Sequence, residues 1–246
     1  MTDFSKIAPY YDLMTGFKKR LINDFGNFKN LVNKFSIKKA LDAGCGSGVH
    51  SIILSKIGVD VTGLDASAEM LELTRKNMLR EGVEIPLEQE YFETMPNKWT
   101  DSFDAVFCMA NSLVGVETGE RLSLAMKSFQ RVLKPGGKAI IQLVNFMKYR
   151  QNDERIIKIS NEENITFVRF FDFEEKVVRL NVIIIEHDMG NVKHQFISEK
   201  ILPVSSEVIK LASDAGGFSN VEFFSNLTLA DTFLPDSPNL IVVLTK

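Results

Sequence analysis

The chain has 246 residues, 45% of them hydrophobic and 25% charged, with a formal net charge of −3. That balance suits a soluble globular protein with a sizeable core, and it lacks the basic excess or stripe of a nucleic-acid binder. Cys45 and Cys108 are the only cysteines, with no CxxC pair or Cys/His spacing, which excludes a disulfide framework and fits a reducing, cytoplasmic setting. The N-terminus "MTDFSKIAPYYDLM" has no basic-then-apolar leader, and no run approaches about 18 apolar residues, so neither a signal peptide nor a membrane span is expected.

"FSKIAPYYDLMTG" predicts a short helix or turn. Phe17, Leu21, Phe25, Phe28, Leu31, Val32 and Phe35 then recur at three- and four-residue steps, the apolar stripe of one helix from about Phe17 to Phe35. The "KKR" cluster at Lys18 to Arg20 reads as a solvated face of that helix. "KALDAG" is a strand, "GVHSIILSKIG" a helix stopped by Gly58, and "VDVTGLD" a second strand. "SAEMLELTRKNMLREG" is a helix with Ser67 as its cap and Gly82 as its stop. "IPLEQEYF" and "FDAVFCMA" read as third and fourth strands, and "ETMPNKWTDS" between them as a loop. "TGERLSLAMKSFQRVLKPGG" is a helix closed by Pro135, Gly136 and Gly137, and "KAIIQLVNF" is a fifth strand. Strands alternating with helices at this spacing predict a parallel sheet covered on both faces.

After Phe146 the pattern changes. From Asn164 to Leu202 apolar and polar residues alternate around two turn signals, "DFEEK" and "MGN". That predicts an antiparallel meander of about three strands. "SSEVIKLASDAGG" returns to helix, and "NVEFFSNL" and "NLIVVLTK" are two more strands. The expectation is one domain over 1–246: a helical cap at 1–37, a ligand-binding core at 38–146, a β insertion or lid at 147–203, and the end of the core sheet at 204–246.

The glycine turn "DAGCGSG" follows a strand and opens a helix. Glycines serve where the backbone turns sharply and where a ligand approaches it closely. A dinucleotide fingerprint, G-x-G-x-x-G, would need a third glycine at the position of Val49; here the glycines are Gly44, Gly46 and Gly48. Asp42, just before them, is hostile to a phosphate and suits an ammonium group, or else it organises the turn through backbone N–H groups. Asp65 ends the next strand about 20 residues on, where an acid accepts ribose hydroxyls; the alternative is a cap for the following helix. Acid, ammonium and ribose diol together describe S-adenosylmethionine.

At these residues the chain resembles the class I S-adenosylmethionine-dependent methyltransferases. "LDAGCGSG" and "VTGLDAS" resemble that family's cofactor motifs, "FDAVFCMANSL" its fourth-strand motif, and "RVLKPGGKAIIQ" its motif at the fifth strand. The resemblance implies an α/β, Rossmann-like sheet of seven strands in the order 3-2-1-4-5-7-6, with strand 7 antiparallel. It implies cofactor contacts from Asp42, Ala43, Gly44, Cys45, Gly46 and Gly48, from Asp65, Ala66 and Met70, and from Met109 and Ala110. Many members bind the adenine amino group through an aspartate after the third strand; aligning "YFETMP" puts Tyr91 there, so Phe92 and Glu93 are the candidates. "APYYD" resembles the segment that folds over the cofactor, which makes Tyr10 and Tyr11 candidates for closing the site; the alternative is that both anchor the first helix.

Methyl transfer mainly needs alignment of acceptor and methyl, with a general base only if the acceptor must lose a proton early. His50, His187 and His194 are the base candidates, and none is singled out. Asn111, Ser112, Asn145, Arg169 and Arg179 are polar candidates for the acceptor side. The expected partners are S-adenosylmethionine and a small-molecule N or O acceptor, with no metal, nucleic acid or membrane, in a monomer or homodimer. Two other readings stand beside this one: an NAD-type oxidoreductase on a related fold, disfavoured by Val49, and a non-catalytic S-adenosylmethionine-binding protein.

Overall fold

The computed structural model describes residues 4–174, 177–188 and 191–246. Its centre is strand β1 (Lys39–Ala43), whose Ala40, Leu41 and Ala43 are fully buried, as a strand covered on both faces requires. Strands β2 (Asp60–Asp65), β3 (Leu87–Gln89), β4 (Phe103–Cys108) and β5 (Leu133–Val144) pair in parallel around it. At the far edge β11 (Asn239–Thr245) runs antiparallel to both β5 and β10 (Asn220–Phe224). The order β10-β11-β5-β4-β1-β2-β3 is the expected 3-2-1-4-5-7-6 arrangement with its reversed seventh strand.

Alternation along β4 sorts the two helical layers. Ala105 and Phe107 pack with α3 (Phe25–Phe35) and α4 (Val49–Ile57), while Val106 and Cys108 pack with α6 (Gly119–Val132) and α8 (Ser206–Gly216). The helix α5 (Ala68–Glu81) starts at Ser67, whose Oγ accepts from the Met70 N–H at 3.2 Å, and stops at Gly82 in a left-handed conformation.

Three elements differ from expectation. The helix read over 17–35 is two, α2 (Phe17–Asn23) and α3, divided at Asp24, whose carboxylate faces Arg20 at 3.6 Å and His50 on α4 at 3.5 Å. The Leu-Lys-Pro-Gly-Gly run does not close α6; it begins β5, because Leu133 already pairs with Phe103 and a register shift before Ala105 absorbs the turn at Gly136. The meander has four strands, β6 (Ile156–Glu162), β7 (Ile165–Phe173), β8 (Val178–Asp188) and β9 (Asn191–Ile201), after a short helix α7 (Phe146–Gln151). Strand β6 escapes the pattern because its Ile156 and Ile159 point to solvent. The turn signals at Glu175, Lys176, Met189 and Gly190 lie outside the described residues. The segment 4–15 is a helix, α1 (Phe4–Thr15), packed through Ile7, Ala8 and Met14 against Phe167, Val182 and Ile184 of the second sheet. Among the described residues no helix is long and apolar enough to cross a membrane, and no cluster of side chains is suited to a metal ion.

Candidate active site

The glycine turn lies at the carboxyl end of β1, where parallel sheets place their ligands. Gly44, Gly46 and Gly48 all have positive φ, at 74°, 58° and 84°. Gly44 admits no side chain: a Cβ there would stand 2.6 Å from Cβ of Ser112. Ser112 is held against it by donating to the Gly44 carbonyl at 3.0 Å. Asp65 braces the turn from the end of β2. Its Oδ2 accepts from the Gly46 N–H and its Oδ1 from the Ser67 N–H, each at 2.9 Å. Burial raises its pKa, the two backbone N–H groups oppose this, and Asp42 adds to the rise.

A cavity of about 940 Å³ opens from this turn and runs to the second sheet. Of the residues expected at the site, Tyr11, Gly44, Gly46, Asp65, Ala66, Met70, Phe92, Glu93, Ala110, Asn111 and Arg169 line it, as does Ser112. Asp42, Ala43, Cys45, Gly48, Met109 and Asn145 do not. Asp42 lies beneath the turn, 1% exposed, accepting from Ser51 Oγ at 2.5 Å, so it organises the cradle instead of facing a ligand. Ala43, Cys45 and Met109 are buried in the core, and Gly48 is backed by Thr74. The thiols of Cys45 and Cys108 are pushed far up by burial, which leaves them inert. The amide of Asn145 donates to the carbonyls of Pro235 and Ser237, both at 2.8 Å, and serves the fold.

Each base candidate stands off the cavity. His50 is buried, stacked on Phe28 with centroids 4.9 Å apart, and bonded to Arg20 Nη2 at 2.9 Å. His187 and His194 are exposed on β8 and β9. Tyr10 turns to the insertion and donates to Glu186, and Arg179 pairs with Glu174 at 2.8 Å. The loop after β4 is strained: Ala110 and Asn111 are consecutive non-glycine residues with φ of 53° and 71°. Asn111 is pinned there, its N–H donating to Gln142 and its Oδ1 accepting from the Val144 N–H, both at 3.0 Å.

The structure adds residues that no motif marks. Arg20, read as part of a solvated face, turns inward and lines the cavity, held by His50 and Asp24, while Lys18 and Lys19 remain exposed. Arg121 pairs with Glu93, whose Oε2 is buried with no partner. Arg169, Phe171, Leu180, Val182, Glu199 and Ile201 form the wall given by the second sheet. Their register puts them on one face: Arg169 is opposite Val182, Phe171 opposite Leu180, and Leu180 opposite Glu199.

A family model described as "Methyltransferase domain" matches residues 40–137. The ubiquinone biosynthesis O-methyltransferase of Proteus mirabilis is 32% identical over 108 residues, covering 44% of this chain and 42% of its own. That of Photorhabdus laumondii is 33% identical over 108 residues, 44% and 43% of the two chains. The present chain thus spans under half the length of these curated relatives. Solved structures extend the likeness of fold to the whole chain. An S-adenosylmethionine-dependent methyltransferase from Clostridium acetobutylicum superposes with a TM-score of 0.80 at 16% identity over 99% of each chain. DesVI of Streptomyces venezuelae gives 0.75 at 22% identity over 97% and 98%. An amino pentose methyltransferase from Micromonospora echinaspora, solved with S-adenosylmethionine bound, gives 0.73 at 17% identity over 96% of each. Residues 40–137 thus match a methyltransferase domain, and the strand order and glycine turn are those of the fold that solved S-adenosylmethionine-dependent methyltransferases share over the whole chain.

Proposed function

We propose that this protein transfers a methyl group from S-adenosylmethionine to a nitrogen or oxygen of a small-molecule acceptor. The observation that carries the reading is Asp65: both carboxylate oxygens are oriented by backbone N–H groups at the cavity edge, and each keeps a lone pair for a ribose hydroxyl. Phe92 and Glu93 border the adenine end, where the unpartnered Glu93 Oε2 suits an exocyclic amine. Tyr11 and Arg20 stand near Gly46 and His50, placed for the methionyl carboxylate. When bound, S-adenosylmethionine supplies a sulfonium methyl already activated for in-line displacement.

The chain's own task is then to align the acceptor and exclude water. The core 38–146, with Tyr11 and Arg20 of the cap, holds the cofactor, and the insertion 147–203 with the rest of the cap 1–37 chooses the acceptor. Asn111, fixed through its Oδ1, offers its amide nitrogen at the mouth of the site. All three histidines lie off the cavity wall, which supports a reaction driven by proximity. The acidic balance supports a small-molecule acceptor over a nucleic acid, and the free Cys45 and Cys108 support a cytoplasmic setting.

The test is incubation with methyl-labelled cofactor and a panel of amines, phenols and carboxylates, alongside calorimetric titration of S-adenosylhomocysteine. Label transfer to a panel member is expected. Clean cofactor binding with no transfer to any acceptor favours the non-catalytic reading. Tight NAD(H) binding without S-adenosylhomocysteine binding overturns the assignment.

A further inference from the structure

Among the described residues no acid pairs with Arg169. This arginine stands on β7 between Phe167 and Phe171, both essentially fully buried, and lines the cavity. Its Nε is buried without a hydrogen bond, and among the described residues the guanidinium makes no ion pair. The other two cavity arginines are paired: Arg20 with Asp24 and His50, and Arg121 with Glu93. The charged and titratable groups that act on Arg169 are Tyr11, Arg20 and Tyr149, none of them an acid. Burial, the largest influence, lowers its pKa, but a guanidinium keeps its proton at any working pH. A buried charge without a partner is costly, and a planar fork of donors is matched by a carboxylate or phosphate.

We propose that the methyl acceptor carries an anionic oxygen group, a carboxylate or a phosphate, which Arg169 holds while the apolar body of the acceptor lies along Phe171, Leu180, Val182 and Ile201. This rests on the methyl-transfer reading of the cavity. The apolar neighbours share the face of Arg169 on adjacent strands, so one molecule spans both features. The methionyl carboxylate of the cofactor is served by Arg20 and Tyr11 beside the glycine turn, which leaves Arg169 for the second ligand.

The test uses the full chain saturated with S-adenosylhomocysteine and three probes: phenylacetate, phenyl phosphate and the neutral isostere phenylacetamide. Calorimetry is expected to show at least one anion binding tenfold or more tighter than phenylacetamide. In Arg169→Gln that preference is expected to vanish, in Arg169→Lys to survive in part, and in both S-adenosylhomocysteine affinity is expected to stay within about threefold of wild type. Equal binding of anions and amide by the wild-type complex overturns the proposal. A tenfold loss of S-adenosylhomocysteine affinity in Arg169→Gln also overturns it, by assigning the residue to the cofactor's carboxylate. Failure of the wild type to bind S-adenosylhomocysteine at all would instead remove the methyl-transfer reading beneath it.

Discussion

The substitution Asp65→Asn tests the cofactor seat at its most constrained point. A carboxylate has about four lone-pair positions. In Asp65 one on Oδ2 takes the Gly46 N–H and one on Oδ1 takes the Ser67 N–H, which leaves one on each oxygen for a ribose hydroxyl. Asparagine replaces one oxygen by an NH₂ group. Whichever way the amide turns, a donor faces either the Gly46 or the Ser67 N–H, and one ribose hydroxyl loses a charged acceptor. A hydrogen bond to a charged group contributes about 1.5–3 kcal/mol, so S-adenosylhomocysteine affinity is expected to fall by about 10- to 150-fold. The donor–donor contact is expected to cost a further ~1–3 kcal/mol of stability, visible in thermal unfolding. Calorimetric titration measures the first effect, and affinity within threefold of wild type would refute the ribose assignment. The same seat predicts a pH dependence. Burial, the dominant influence, raises the Asp65 pKa, so ligand affinity is expected to decline on acidification while still above the ordinary aspartate range. In the ligand-free protein the sign is opposite: a raised folded pKa favours stability below the unfolded value, and that contribution is lost as pH rises through the folded one.

Asn145→Ala removes two buried hydrogen bonds to the carbonyls of Pro235 and Ser237, with an expected loss of about 1–3 kcal/mol in denaturant unfolding and no change in S-adenosylhomocysteine affinity. Weakened ligand binding at unchanged stability would return Asn145 to the site. His50 is held neutral chiefly by burial, opposed by its bond to Asp24 and reinforced by Arg20, so its folded pKa lies below the unfolded one. The unfolded chain then gains a proton that the folded chain refuses, and stability is expected to fall as pH drops below about 6.5. His50→Gln, compared by unfolding at several pH values, is expected to flatten that slope; an unchanged slope would exclude His50 as its source.

The alternation of strands and helices and the glycine cradle were legible in the sequence because both rest on local signals, while the strand order came from the family resemblance. Strands β1, β2, β4 and β11 each carry a short apolar run bounded by turn residues, and each of Gly44, Gly46 and Gly48 takes a positive φ. The acid at the end of β2 was legible for the same reason, since its distance from the first glycine follows from one strand–helix–strand unit. Local signals failed where long-range contacts decide. The start of β5 is set by pairing with a distant partner, Leu133 with Phe103, while β6 forms by hairpin pairing with β7, Ile159 with Val168, although its own apolar residues stay exposed.

The cavity wall beyond the glycine turn shows the same division more sharply. Arg20 follows two exposed lysines, and nothing in "KKR" distinguishes it; only the packing of α2 beside α4 brings it to His50 and the cavity. Asn145 and Arg169 looked alike as polar residues near the expected mouth, yet one is spent on two carbonyls of the 235–237 loop and the other keeps a buried Nε without a hydrogen bond in the wall. By itself the sequence pointed to the cofactor, because the glycine turn and Asp65 that suit it are neighbours along one chain segment. The tertiary structure decided which side chains line the rest of the cavity, because that wall is assembled from helix α2, the β4 loop and three strands of the insertion, whose meeting no short stretch of residues encodes.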